Sequence, residues 1–233
     1  MNWSDDDELW HALGPALTSP QRGAMAKADV ASIATTIKIG RGTRVLDLGC
    51  GAGFHAIAFA AHGCDVTAVD RTTRYLREAE ASAEARKVRV TFLKTDMREF
   101  VRKAEFDIVC SLYASFAYFD DEGNRLVLAN VRQSLRLGGT FILDVIGTWE
   151  ARGQYQLDGK AYAVERELRS GNQLVEKWTI DGKEYVARQR IYSAHELSDI
   201  IIDAGFEHVE LAASLDRKTR YSKEAKRLIA FAS

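Results

Sequence analysis

Several features are scarce in this 233-residue sequence, and each absence excludes a class of protein. No uncharged apolar run approaches the roughly 18 to 20 residues that span a bilayer, and the first residues, MNWSDDDELW, are acidic and unlike a signal peptide. The 32 basic and 33 acidic residues leave a formal net charge of −1, which disfavours nucleic acid as a partner. We therefore expect a soluble, cytoplasmic monomer or homodimer that binds neither nucleic acid nor membrane.

Cysteine and proline are also rare. The three cysteines, Cys50, Cys64 and Cys110, include no CxxC pair, and each lies in or beside an apolar run. This pattern predicts reduced, mostly buried thiols. A nucleophilic role for Cys50 is disfavoured because the sequence places no histidine partner beside it, and we expect no metal site.

Strand-like and helix-like segments alternate through most of the chain. Short apolar runs rich in β-branched residues predict five strands, at 43–48, 64–70, 88–94, 106–112 and 140–146. Helical patterns follow at 54–62, 72–86, 122–137 and, after a Ser-Ala-His-Glu capping box, 193–204; two last strands are expected at 206–213 and 227–233. The alternation predicts an α/β fold with a Rossmann-like, doubly wound, mostly parallel sheet of seven strands.

The pattern changes after Gly147. Polar and apolar residues alternate over 154–192, around turn pairs such as Asp158-Gly159, which predicts an inserted antiparallel β-meander. Such an insertion would form a platform beside the carboxyl edge of the main sheet, where folds of this kind bind ligands. We expect three parts: an N-terminal helical lid over 1–40, a core over 41–147 and 193–233, and an inserted sheet over 148–192.

A glycine-rich turn follows the first predicted strand, in RVLDLGCGAGFHAIAFAAHGCDVTAVD at 44–70. Gly49, Gly51 and Gly53 permit a tight turn and the close approach of a ligand, and the next helix contributes free N–H groups. Asp70 ends the second strand, where its carboxylate can accept hydrogen bonds from both ribose hydroxyls of a nucleoside. Each residue alone fits an ordinary turn or helix cap, but their order and spacing predict a site for a nucleoside derivative.

Asp47, which precedes the glycines, indicates which class of nucleoside derivative the site would bind. Dinucleotide sites typically contain G-x-G-x-x-G, whereas this chain has G-C-G-A-G at 49–53, preceded by Asp47. A carboxylate there would repel a pyrophosphate and would suit a cationic amino-acid group. A nicotinamide-linked oxidoreductase is therefore the weaker alternative.

These motifs resemble those of the class I S-adenosylmethionine-dependent methyltransferases over nearly the whole chain. VLDLGCGAG resembles motif I of that family, FDIVCSLYASFAYF its fourth motif and LRLGGTFILDV its LKPGG turn, with Leu137 in place of the proline. The resemblance implies S-adenosylmethionine as the cofactor. It also implies that Asp96 meets the adenine amino group and that Met97 packs on the adenine ring.

A closer resemblance concerns the branch of the family. The chain resembles small-molecule methyltransferases related to sugar N-methyltransferases in five segments: DDELWHAL, DMRE, YASFAYFDDEGN, the meander and RIYSAHELSDIIIDAGF. The Asn/Asp-Pro-Pro-Tyr element of the DNA and protein-glutamine enzymes is replaced by SLYAS at 111–115, which disfavours base or amide methylation. Because a sulfonium methyl is already a good electrophile, this cofactor implies in-line transfer. An expected pocket lined by Tyr113, Phe116, Tyr118 and Tyr192 favours a small amine or hydroxyl compound as the acceptor. The sequence leaves open whether N, O or C is methylated, and a cofactor-binding protein without transfer activity is the other alternative.

The implied site draws on the glycine turn, the strand ends and the N-terminal segment. Its cofactor-binding residues are Trp10, Asp47, Gly49, Cys50, Gly51, His55, Asp70, Arg71, Asp96, Met97 and Leu112. The candidate catalytic residues are Tyr113 and Tyr118, and the candidate substrate-pocket residues are Ser115, Phe116, Arg190 and Tyr192. The alternatives are an aromatic packed under the lid for Tyr118, a helix cap for His55, and an ordinary strand end for Arg190 and Tyr192.

The N-terminal segment has large apolar residues at helical spacing. Trp3 and Trp10 lie seven apart, and Leu9 and Leu13 accompany them. This predicts an amphipathic helix, which in the resembling family serves as a lid over the cofactor cleft; a helix that only packs is the alternative. The acidic run over 5–8 fits the N-terminus of that helix better than a metal site.

Overall fold

The computed structural model describes residue 3, residues 6–157 and residues 159–233, so the roles predicted for Asp5 and Asp158 lie outside the described residues. The helices are α1 (Asp7–Leu17), α2 (Pro20–Ala34), α3 (Phe54–Ala61), α4 (Thr73–Ala85), α5 (Asp121–Ser134) and α6 (Ala194–Asp203). Within the described ranges, none of them has the length and apolar character needed to cross a bilayer.

The strands form two sheets. They are β1 (Arg44–Leu48), β2 (Asp65–Asp70), β3 (Thr91–Lys94), β4 (Phe106–Ser111), β5 (Leu135–Ile146), β6 (Arg152–Leu157), β7 (Lys160–Arg169), β8 (Gln173–Ile180), β9 (Lys183–Arg190), β10 (Val209–Ala212) and β11 (Arg227–Ala232). The main sheet has the order β10-β11-β5-β4-β1-β2-β3, parallel except where β11 meets its two neighbours, and the second is the antiparallel meander β6-β7-β8-β9. The predicted fold class is confirmed.

Helices cover both faces of the main sheet because its strands are apolar on both sides. Successive residues of a strand point to opposite faces, and in β1 Val45 packs with α2 and α3 while Leu46 packs with α5 and α6. On the first face, Phe59 of α3 is fully buried. The central strands are therefore shielded from water, and their carboxyl ends are held rigidly at one edge.

Helix α5 ends earlier than the sequence pattern predicts. We expected the helix to extend through Leu137, just before a pair of glycines, but it ends at Ser134. The chain enters β5 at Leu135, which pairs with Phe106 of β4, so strand pairing begins before the glycines are reached. Leu137 is 90% exposed, and no burial opposes this arrangement.

Helix α1 packs on one face of the meander. The shared apolar cluster consists of Leu9, Ala12, Leu13, Tyr162, Ile180 and Ala187. The Tyr162 hydroxyl donates to the carbonyl of Ala12 (3.4 Å), and Lys183 Nζ lies 2.5 Å from Glu8 Oε2. On its other side α1 is tied to α4, because the Tyr75 hydroxyl donates to the carbonyl of Trp10 (2.5 Å). Helix α1 thus bridges the core and the meander.

The docking of α1 predicts a large difference between two leucine substitutions. Leu9 is fully buried, so Leu9→Ala should lower the free energy of unfolding by about 2–4 kcal/mol through lost packing and a residual cavity. Leu126 on α5 is 47% exposed, and Leu126→Ala should change it by no more than about 0.5 kcal/mol. Urea unfolding of both variants measures the difference; equal losses would contradict the docking of α1.

Candidate active site

A cavity opens where the carboxyl ends of β1, β2, β3 and β4 meet α1 and α2. Counting the open space at its mouth, the cavity measures about 1170 Å³. Its lining includes every residue that we assigned to the cofactor and three of those assigned to the reaction. These are Trp10, Asp47, Gly49, Cys50, Gly51, His55, Asp70, Arg71, Asp96, Met97, Leu112, Tyr113, Ser115 and Tyr118.

The three glycines of the turn after β1 have different reasons to be glycine. All have positive φ, between 50° and 73°. A Cβ on Gly49 would lie 2.8 Å from Ser115 Cβ, and one on Gly53 would lie 2.8 Å from Ala79 Cβ, so these two allow close packing. A Cβ on Gly51 would meet no described atom within 4 Å. The space beside Gly51 therefore belongs to the cavity, where a ligand can approach the backbone.

Asp70 holds the glycine turn in place. Its Oδ2 accepts a hydrogen bond from the Gly51 amide (2.8 Å), and its Oδ1 accepts one from the Thr72 amide (2.8 Å). Burial raises the pKa of this carboxyl above its ordinary value. Each carboxylate oxygen has a second acceptor site, so Asp70 can fix the turn and also accept hydrogen bonds from ligand hydroxyls.

Asp47 is a buried carboxyl with an unsatisfied oxygen. It is 2% exposed, its Oδ1 lies 3.8 Å from Cys110 Sγ, and its Oδ2 has no hydrogen-bond donor among the described residues. Burial raises the pKa of Asp47 to about 6. Leaving such an oxygen unpaired costs about 1–3 kcal/mol or more for a charged group. A cationic group of a ligand in the cavity would satisfy it.

Arg22 is a site residue that the sequence motifs did not reveal. It projects from α2 into the cavity, with its guanidinium 4.9 Å from the centre of the Tyr113 ring. Within the part of the chain that the structure describes, no carboxylate pairs with it. The cavity thus presents an unpaired guanidinium and an unpaired carboxylate oxygen, on Arg22 and Asp47. This combination suits the zwitterionic end of an amino acid.

A chain of ion pairs supports the wall next to Arg22. His55 Nε2 lies 3.3 Å from Asp29 Oδ2, Arg227 binds both Asp29 (3.2 Å) and Asp144 (2.7 Å), and Asp144 accepts a hydrogen bond from the Tyr113 amide (2.9 Å). Burial alone would raise the pKa of Asp29, but the His55 hydrogen bond and the Arg227 charge outweigh it and hold that pKa below its ordinary value. The chain fixes the His55 ring and the loop after β4.

The loop after β4 is held in an unusual backbone conformation. Tyr113, Ala114 and Ala117 all have positive φ, at 55°, 55° and 74°, which costs energy for residues with a side chain. Ser115 Oγ donates to the Gly49 carbonyl (3.0 Å), which joins this loop to the glycine turn. Strain of this kind clusters at functional sites, and here it turns Tyr113 and Tyr118 towards the cavity.

Three side chains that line the cavity, those of Tyr113, Tyr118 and Cys50, are protonated at neutral pH. Burial raises the pKa of Tyr113 and Tyr118 above the ordinary value of a phenol, and nearby carboxylates add to this. Burial and the charges of Asp47 and Asp70 likewise raise the pKa of the Cys50 thiol. These groups can donate hydrogen bonds and exclude water, but none is poised as a phenolate or thiolate.

An aromatic cluster closes the cavity beneath α1. The ring centres of Trp3, Trp10 and Tyr118 lie 5.1 to 5.8 Å from one another.

At the opposite end of the cavity, both oxygens of the Asp96 carboxylate accept hydrogen bonds from Arg98 (3.0 and 2.7 Å). Burial alone would raise the pKa of Asp96, but these bonds keep it low. Asp96 is therefore a fixed, ionised group at the cavity wall.

Three predicted substrate-pocket residues lie elsewhere, and the prediction is corrected. The strained loop turns Phe116 into the hydrophobic core, where it is 1% exposed. Tyr192 is 5% exposed, and its hydroxyl accepts a hydrogen bond from Asn124 (3.1 Å). Arg190 faces α5 and α6, where it pairs with Glu196 (2.9 Å). None of the three belongs to the described lining of the cavity beneath α1.

A second cavity adjoins the first between α1, α2 and the meander. The two cavities share one wall, formed by Trp10, Leu17, Arg22, Tyr113 and Tyr118. The rest of the second lining is Trp3, Leu13, Ala16, Ser19, Gln21, Leu157, Arg166, Glu176, Trp178, Ala187 and Gln189. Sequence motifs gave no sign of Arg166, Glu176 and Gln189 in this lining, because these residues come from three different strands and carry no local pattern.

Comparisons with known proteins agree with this geometry. Residues 45–139 match the family model described as a methyltransferase domain. The glycine/sarcosine N-methyltransferase of Aphanothece halophytica is 34% identical over 112 residues, which are 47% of this chain and 42% of that protein. The matched region spans less than half the length of the curated relatives.

Solved structures match nearly the whole chain. The CcbJ methyltransferase from Streptomyces caelestis has a TM-score of 0.75 at 19% identity, covering 92% of this chain and 95% of that one. CalS10 from Micromonospora echinaspora, an amino pentose methyltransferase solved with S-adenosylmethionine bound, has a TM-score of 0.67 at 18% identity, covering 96% and 95%. At these identities the likeness establishes the fold.

The fold is the one seen in solved S-adenosylmethionine-dependent methyltransferases. Within it, residues 45–139 of this chain are a methyltransferase domain. For this domain three predictions are confirmed: the resemblance to S-adenosylmethionine-dependent methyltransferases, the enzyme class of methyltransferase, and S-adenosylmethionine as the cofactor. The activity of the whole protein and its acceptor are proposals.

The open space beside Gly51 predicts that a side chain there blocks the ligand. Gly51→Val should abolish measurable binding of S-adenosylmethionine, because the branched side chain would occupy the cavity. Gly138→Val is the matched control: Gly138 also has positive φ and open space, but it lies in β5 far from the site. Calorimetric titration of both variants, with melting curves for stability, separates blocking from strain. Equal affinities in the two variants would remove Gly51 from the site.

Proposed function

We propose that this protein transfers a methyl group from S-adenosylmethionine to a small-molecule amine or hydroxyl compound by in-line displacement. The observation that carries the proposal is the shared wall between the two cavities. One cavity has the groups that suit a nucleoside joined to an amino acid, and the other is a separate chamber facing the meander. Two chambers that meet at Tyr113 and Tyr118 suit a donor and an acceptor.

The residues present fit the cofactor. Gly51 leaves open space at the turn, and the buried Oδ2 of Asp47 lacks a donor within the described part of the chain. In the bound state Asp70 would accept hydrogen bonds from the ribose hydroxyls, Asp47 would pair with the ammonium group and Arg22 with the carboxylate. When bound, S-adenosylmethionine supplies a methyl group on a sulfonium, which is already a good electrophile.

The chain's own contribution is alignment and the exclusion of water. Tyr113 and Tyr118, whose raised pKa values keep them neutral, would donate hydrogen bonds that orient the acceptor. Trp3 and Trp10 cover Tyr118 and restrict entry of water from the side of α1. A dry site in which the reacting atoms are held in line accounts for a large part of the rate in such a displacement.

We extend the proposal to α1 and α2 as a lid. The apolar cluster that α1 shares with the meander and the bond between Tyr75 and Trp10 support closure over both cavities. The ion pair of Glu8 with Lys183 is exposed and therefore weak. Opening at the amino end of α1 would break this ion pair at little cost, but it would also have to separate the buried packing of Leu9.

The test of the proposed function begins with the cofactor. S-adenosylmethionine and NADH are titrated separately into the protein, and S-adenosylhomocysteine release is then measured with a panel of small amines and alcohols. We expect saturable binding of S-adenosylmethionine, none of NADH, and turnover with members of the panel. Binding without turnover across the panel would favour a cofactor-binding protein, and binding of NADH alone would favour an oxidoreductase.

The raised pKa of Asp47 predicts how cofactor affinity depends on pH. The carboxyl takes up a proton as the pH falls through about 6, and a neutral Asp47 no longer attracts an ammonium group. Affinity for S-adenosylmethionine should therefore decrease between about pH 7 and about pH 5. Asp47→Asn should bind more weakly at neutral pH and lose most of this dependence. An identical pH profile in the variant would remove Asp47 from the ammonium site.

A further inference from the structure

The second cavity contains a buried acid that the cofactor does not need. Glu176 on β8 is 7% exposed, and its Oε1 accepts a hydrogen bond from Arg166 Nε (2.6 Å), on the opposing residue of β7. Its other oxygen, Oε2, receives no hydrogen bond from the residues that the structure describes. Arg166 thus fixes the carboxylate in one position and leaves one oxygen for a ligand in the cavity.

The surroundings of Glu176 favour a cation. Trp3 and Tyr118 line the same cavity, and the faces of such rings attract positive charge. The Trp178 ring also lines it, with the Arg166 guanidinium 5.7 Å from its centre. Glu176 is the one acid in the described lining. Arg166 is already paired with Glu176, and Arg22 on the shared wall is assigned in the proposed function to the carboxylate of the cofactor. An anionic acceptor would therefore have to compete for one of these two cations, whereas a cationic acceptor would meet the free Oε2 of Glu176.

Glu176 also lies near the wall that separates the chambers. Tyr118 lines both cavities, and its pKa is raised by burial and then by the charges of Asp70, from the cofactor cavity, and of Glu176, from the second cavity. Tyr118 is therefore within electrostatic range of both acids. A group bound at Glu176 would sit on the acceptor side of the shared wall.

Arg166 has structural contacts of its own, since it donates to the Glu150 carbonyl (3.2 Å) and lies over the Trp178 ring, but these contacts do not require an acid at position 176. A buried ion pair adds little stability compared with apolar residues of the same size. On this face of the meander, its neighbours Val164, Ile180 and Ala187 are apolar and buried, so packing against α1 does not require a charge. Charged residues of β7 such as Glu165 are instead 64% exposed.

We infer that Glu176 is the specificity-determining residue of the acceptor site and that the acceptor is a small primary or secondary amine. The ammonium form of the amine would bind Oε2 of Glu176 beside the rings of Trp3 and Tyr118. Before transfer the ammonium would give one proton to the Glu176 carboxylate, and the freed nitrogen lone pair would then form the bond to the methyl carbon as the bond from that carbon to sulfur breaks and S-adenosylhomocysteine leaves. Gln189, which also lines the cavity, would contact a polar group on the body of the amine. This inference rests on the proposed function, and it selects the amine from the two acceptor classes.

The test compares amines with uncharged analogues of the same shape. Cyclohexylamine and cyclohexanol form one pair of probes, and glucosamine and glucose form the other. Each is titrated by calorimetry into protein saturated with S-adenosylhomocysteine. The amine of at least one pair should bind about tenfold or more tightly than its analogue, and Glu176→Gln should weaken that binding about 10- to 100-fold.

Control variants separate charge from folding. Glu165→Gln removes an exposed acid of the same sheet and should leave amine binding unchanged. Glu176→Asp keeps the charge and should retain more amine affinity than Glu176→Gln, with melting curves recorded for each variant. If Glu176→Gln does not fold, the comparison of the probe pairs and the Asp variant still decides the question.

The results that would overturn the amine site at Glu176 differ from those that would overturn the proposed methyl transfer. The inference would be overturned if amine and analogue bind equally, if neither amine binds, or if Glu176→Gln binds the amine as tightly as the unchanged protein. It would also be overturned if cyclohexanecarboxylate, titrated as an anionic probe of the same shape, binds more tightly than cyclohexylamine. Methyl transfer to an alcohol that Glu176→Gln does not impair would also overturn it while supporting the proposed function. Amine binding through Glu176 without any release of S-adenosylhomocysteine would support the amine site and contradict the transferase.

Discussion

The buried carboxylate of Asp47, whose Oδ2 has no donor among the described residues, is the constraint around which the cofactor cavity is organised. An acid at the end of a central strand is costly unless a donor or a cation meets it, and the described neighbours leave Oδ2 without one. Gly51 keeps the adjacent space open, Asp70 fixes the turn that borders it, and Arg22 provides the opposite charge. These features together favour a ligand with an ammonium group, a carboxylate and a ribose.

Several distant elements converge on the same edge of the sheet. The glycine turn packs against Ser115 of the strained loop, and Arg227 of β11 holds that loop through Asp144. Helix α1 covers this edge of the sheet and packs on the meander. The two cavities therefore share Tyr118, and a change in the position of α1 would alter both.

Much of the fold and of the cofactor cavity could be predicted from the sequence, because local patterns encode them: alternating strands and helices, a glycine turn, and an acid at a strand end. The end of α5 at Ser134 could not be predicted, since pairing between Leu135 and Phe106 is a long-range contact. Phe116 was misplaced because the direction of its side chain depends on the strained loop. Glu176 was missed because its neighbours come from other strands.

A crystal structure with S-adenosylhomocysteine bound tests the central claim most directly. The account predicts that its ribose hydroxyls bind Asp70, that its ammonium group lies against Asp47 Oδ2, and that its carboxylate pairs with Arg22. It also predicts that the sulfur faces the wall at Tyr113 and Tyr118, opposite the chamber of Glu176. Density for the ligand in another cavity, or with its amino-acid end turned away from Asp47, would contradict the account.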